Sequence, residues 1–98
     1  MSSQAVDLYG AEALAEVTSY LERVKAKSRD PIITSDEIRR TIQTHFGLNH
    51  VASRYLANHV TNALRDHGWL VAWDVRVLSD RTVIEYRVNL TPTSALCA

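Results

Sequence analysis

The chain has 98 residues, 46% of them apolar and 22% charged, with eleven acidic and eleven basic side chains. That length and composition suit one domain built on its own core, and they exclude a disordered or low-complexity chain. No apolar run approaches the length of a membrane span, MSSQAVDLYGAEAL carries acids instead of a basic cluster ahead of an apolar run, and the lone Cys97 cannot close an internal disulfide, so a cytoplasmic protein is expected.

From about Asp7 to Ser28, Leu14, Val17, Leu21 and Val24 recur at three and four, with Ala13 and Tyr20 widening the stripe; this predicts an amphipathic helix ended by Pro31. Ser2 or Ser3 can cap its start, and Gly10 marks either a break or a close contact. Ile32 and Ile33 form a short β-branched piece that needs a sheet elsewhere to pair with. Thr34-Ser35-Asp36-Glu37 has the form of a capping box. It opens a second helix with Ile38, Ile42 and Phe46 on its apolar edge and Gly47 at its end. Asn49 is placed to cap a third helix, from His50 to about His67, closed by Gly68. At 100° per residue, Ala52, Leu56, Val60, Ala63 and Leu64 share one arc, while Arg54, Asn58, Thr61 and Arg65 share the opposite one, flanked by His50, Val51, Tyr55 and Asn62.

Beyond Trp69 the period changes to two. Trp69, Val71, Trp73, Val75 and Val77 alternate, as do Ile84, Tyr86, Val88 and Leu90, which predicts a hairpin turning near Ser79 and Asp80. Charge pairing favours the register that sets Arg76 against Glu85 and Asp74 against Arg87, with 79–82 as the loop and Arg81 at its tip; the alternative sets Asp74 against Glu85. The tail 91–98 has little to hold it and is expected to be flexible.

Net charge is zero, but its distribution is uneven. Residues 1–37 hold seven acids and four bases, 38–65 hold Arg39, Arg40, Arg54 and Arg65 with no acid, and 66–98 hold four acids and three bases. Screening limits electrostatic reach to about 8 Å, so the local excess is what a polyanion meets on contact.

The order of helix, short extended piece, helix, tight turn, helix and hairpin resembles the winged helix-turn-helix family. The residues that carry the likeness are Ile32-Ile33 before the capped DEIRRTI helix, the FGLN turn, and LRDHGWLV leading from the third helix into the wing. The likeness covers about residues 10–90, although the stretch from Gly47 to Gly68 is slightly longer than is usual. It implies an α+β fold in the order α-β-α-α-β-β, a recognition helix at about 50–67 and double-stranded DNA as partner. In that setting Arg54 can fork onto guanine and Asn58 can pair with adenine, with His50 and Tyr55 reaching base edges or phosphates. Arg39 and Arg40 would meet phosphates, Thr61 and Arg65 would hold the backbone, and Arg81 would carry the wing to the minor groove or its phosphates.

The rival reading is a protein-interaction module that uses Trp69, Trp73 and Tyr86 as an aromatic patch. Catalysis is not expected: no motif places Ser53, His50 and Asp66 as a set, and three glycines leave no phosphate loop. His45, His50, His59 and His67 lie 5, 9 and 8 residues apart, which matches no helical ligand pair, so neither metal nor cofactor is expected. A homodimer through the first helix is expected from Tyr9, Tyr20, Leu21 and Val24, unless the core uses them all.

Overall fold

The computed structural model describes residues 4–89, leaving the expected Ser2 or Ser3 cap, the end of the Leu90 alternation, Cys97 and the tail outside the described residues. Its elements are α1 (Gln4–Lys27), β1 (Ile32–Thr34), α2 (Ser35–Phe46), α3 (His50–Asp66), β2 (Leu70–Val77) and β3 (Thr82–Val88). This is an α+β winged-helix-like topology: three helices and a three-stranded antiparallel sheet in the order β1-β3-β2.

Local chemistry sets the helix ends. Thr34 is extended, at φ −111° and ψ 159°, and its hydroxyl accepts the Glu37 amide at 3.1 Å while the Glu37 carboxylate accepts the Thr34 amide at 2.7 Å. The same carboxylate accepts the Tyr20 hydroxyl at 2.8 Å, so one side chain both caps α2 and ties it to α1. Burial, followed by this hydrogen bond, raises the Tyr20 pKa. Thr34→Ala should therefore lower stability by about 0.5–2 kcal/mol, seen as a lower urea midpoint at unchanged slope.

Gly47 ends α2 at φ 65°, where a side chain would be strained, and donates to the Gln43 carbonyl at 2.8 Å. Asn49 accepts the Ala52 amide at 2.8 Å to open α3. Gly10 lies inside α1, and a Cβ there would sit 3.2 Å from His59 Nε2 on α3. Of its two expected meanings, the close contact holds.

The core lies where the three helices meet the sheet. Val17 and Leu21 of α1, Ile38 and Ile42 of α2, and Leu56, Val60 and Leu64 of α3 are fully buried, joined by Ile33, Leu70, Tyr86 and Val88 of the sheet. Strand β1 is short because it only borders β3, pairing Ile32 with Arg87, Ile33 with Tyr86 and Thr34 with Glu85.

The hairpin register corrects the charge-based expectation. Asp74 faces Glu85, Val75 faces Ile84, and Arg76 faces Val83; a bulge between Ala72 and Asp74 then shifts the pairing so that Val71 faces Arg87. Arg76 still reaches Glu85 diagonally at 2.8 Å, so that ion pair survives the change of register, whereas Arg87 pairs with Asp30 at 3.2 Å in place of Asp74. The strands stop at Val77 and Thr82, and the loop is 78–81, closed by the Leu78 amide on the Arg81 carbonyl at 2.8 Å. The bulge also divides the alternating apolar set. Leu70, Ala72, Val75 and Val77 share the face of Ile84, Tyr86 and Val88, whereas Val71, Asp74 and Arg76 lie on the other face with Glu85 and Arg87.

Candidate nucleic-acid interface

The outward face of α3, the start of α2 and the wing enclose a cleft of about 640 Å³. Helical periodicity builds one wall. With Leu56, Val60 and Leu64 locked into the core, Arg54, Asn58 and Arg65 point outward and remain exposed. Thr61 lies at the margin of this face, only 9% exposed, so it forms floor more than wall.

Of the nine residues singled out in the sequence, seven line the cleft: Arg39, His50, Arg54, Asn58, Thr61, Arg65 and Arg81. Tyr55 does not. It is half exposed and borders a smaller hollow of about 120 Å³ with Val51, Arg54 and Asn58, contiguous with the same face of α3. Arg40 is exposed and lies outside the cleft, close enough to Tyr20 to pull its pKa down against the raising effects of burial and Glu37.

The four guanidinium groups of the cleft differ in their company. Arg81 bonds Asp36 Oδ2 through Nε at 2.9 Å and through Nη2 at 2.8 Å, and its Nη1 meets Asp80 at 2.9 Å. Arg39 stands 3.6 Å from Asp36 and donates to Gln43 at 3.2 Å. Arg54 and Arg65 make no ion pair among the described residues.

Two carboxylates, Asp36 and Asp80, thus line the cleft, and helix-face reasoning missed both. Their signal was partly local, since Asp36 lies within the capping box and Asp80 adjoins Arg81. The cleft is nonetheless cationic, with four arginines against two aspartates. The Arg81 hydrogen bond, more than any other influence, holds the Asp36 carboxyl below its ordinary value of 3.8. A depressed carboxyl pKa stabilises the fold above that ordinary value, and the contribution disappears as pH falls through the lower folded value. At neutral pH the wing tip is therefore pinned to α2. The arginine remains partly exposed, and exposed ion pairs of this kind are weak enough to exchange for another anion.

Tyr86 closes the floor beside Ile84. Burial pushes its hydroxyl pKa up, and the nearby positive charge of Arg65 pulls it down in part. The wing aromatics divide: Trp69 and Tyr86 are core residues, 9% and 3% exposed, with the Lys25 ammonium 5.0 Å from the Trp69 ring, whereas Trp73 is 54% exposed beneath the Arg87 guanidinium at 4.2 Å. An interaction patch made of all three rings does not exist. His45, away from the cleft, lies 2.9 Å from Glu12 and 3.6 Å from Glu16.

Among the described residues no helix is long and apolar enough to cross a membrane. No family model, curated protein or solved structure matches the chain.

Proposed function

We propose that the cleft between α3 and the wing binds double-stranded DNA, and that the chain is a small sequence-specific transcription regulator of the winged helix-turn-helix kind. One observation carries this reading: Arg54, Asn58 and Arg65 share an exposed face of a single helix, and neither arginine is neutralised by a carboxylate among the described residues. A helix fits the major groove, where a guanidinium can fork onto guanine O6 and N7 and an amide can pair with adenine N6 and N7. Arg54 and Asn58, one turn apart, take those roles. His50 and Tyr55 flank them towards base edges or phosphates, while Arg39, Thr61 and Arg65 hold the phosphate backbone.

Arg81 brings the wing to the duplex by exchanging Asp36 and Asp80 for phosphate. Asp36→Asn should accordingly raise affinity for any duplex severalfold, because it removes both a repulsive charge and the competitor for Arg81. An unchanged or lower affinity would count against a wing contact.

The reading itself is tested by fluorescence anisotropy with a labelled duplex of random sequence at two salt concentrations. Binding to phosphates releases counterions, so affinity should fall steeply and log-linearly with salt. Absent or salt-independent binding would contradict it.

A further inference from the structure

Exposed apolar side chains include Leu8 of α1 and Val51 and Tyr55 of α3, but the longest run of them, Val71, Trp73, Val75, Val77 and Leu78, lies on the wing. In α1, Leu21 is fully buried, Val24 and Tyr20 pack against the core, and Tyr9 lies tilted against Phe46 with 5.0 Å between ring centroids. In β2, Val75 is 55% exposed and Val77 80%, and the strand is an open edge of the sheet. We propose that β2 is the interface for a second copy of this chain, paired edge to edge and antiparallel about Val75 to form one continuous six-stranded sheet.

Backbone geometry supplies the first argument. The Leu78 amide bonds the Arg81 carbonyl directly opposite, so the alternation of an antiparallel ladder turns the polar groups of Val77 and Val75 away from β3 and towards the free edge. The Val75 amide behaves accordingly: its acceptor is the neighbouring Asp74 carboxylate, at 2.8 Å. A two-fold axis through Val75 would instead let the two Val75 residues exchange amide-to-carbonyl bonds, and each exposed valine would gain an apolar neighbour.

Charge supplies the second. Charged residues on an edge strand normally discourage pairing. Here they are one acid and one base placed symmetrically about Val75, so the same axis sets Asp74 of each copy opposite Arg76 of the other. The arrangement also relieves a conflict within the monomer. Asp74 faces Glu85 across the ladder, and Arg76 serves Glu85 alone, leaving Asp74 with no ion pair among the described residues. Like charges directly opposite are destabilising, and a second Arg76 would supply the missing cation. Because pairing about Val75 preserves the faces of the sheet, the two clefts would open on the same side.

The proposal does not rest on DNA binding, since association is measured with no nucleic acid present. Sedimentation velocity of the full chain through the micromolar range should show a dimer. Asp74→Arg and Arg76→Asp should each weaken it on the order of tenfold or more, and the double exchange should restore it by reversing both pairs. Val75→Pro should abolish it while leaving the hairpin folded by circular dichroism, because that amide is not given to β3. If the proline variant unfolds, the charge exchange decides. A monomer throughout the range, or a dimer indifferent to both single charge reversals, would overturn the proposal.

Discussion

Leu56→Ala should lower the unfolding free energy by about 2–5 kcal/mol and the melting temperature by about 10 °C or more. Leu56 is fully buried where α1, α2 and α3 converge, with Val17, Leu21, Ile42, Val60 and Leu64 in the same cluster. Truncation removes apolar contact and leaves a cavity that three packed helices cannot easily close. A small domain is stable by only about 5–15 kcal/mol, so the loss is a large share of the total. Denaturant unfolding followed by circular dichroism measures it directly. A change below about 1 kcal/mol would mean that α3 is not held by this face. The consequence reaches the cleft, because the inward anchoring of Leu56, Val60 and Leu64 is what points Arg54 and Asn58 outward.

The second large effect concerns recognition. Arg54→Ala combined with Asn58→Ala should reduce affinity for a selected duplex by about 2–6 kcal/mol, taking about 1–3 kcal/mol for each two-bonded base contact. Affinity for random duplex should fall much less, since phosphate contacts carry most of it. Anisotropy titrations with both duplexes separate the two effects. Equal losses on both would make these residues phosphate contacts and remove them from sequence reading. Thermal unfolding should change little, because both side chains are exposed and neither makes a side-chain hydrogen bond among the described residues that substitution would break.

The sequence reveals most where the determining interactions are local. Thr34 with Glu37, Gly47, Asn49 and Gly68 bound α2 and α3 through contacts within a few residues, and their types announce the helix ends. Helical periodicity likewise separates the buried Leu56, Val60 and Leu64 from the exposed Arg54, Asn58 and Arg65. Hairpin register was not legible. One inserted residue at the bulge beside Trp73 changes the pairing along half of β2, and no glycine or other marker announces it. Charge pairing misled because Arg76 reaches Glu85 on the diagonal and Arg87 finds Asp30, outside the hairpin altogether.

The cleft was legible on its helical wall and obscure at its rim. Arg81 and Asp36 are 45 residues apart in sequence, and only the fold brings the wing tip against the start of α2. The neighbours Arg39 and Arg40 differ by 100° around α2, which suffices to put one in the cleft and the other outside it. The burial of Trp69 and Tyr86 depends on how the sheet packs beneath the helices, whereas Trp73 stays outside because the bulge displaces it.

Amide chemical-shift mapping of the full chain as duplex is added tests the central claim most directly. The perturbed amides should follow the outward stripe of α3, through Arg54, Asn58 and Arg65, and extend to Asp80 and Arg81 at the wing tip. Perturbations confined to the opposite face of the sheet, around Val71 and Arg87, with α3 unmoved, would contradict it.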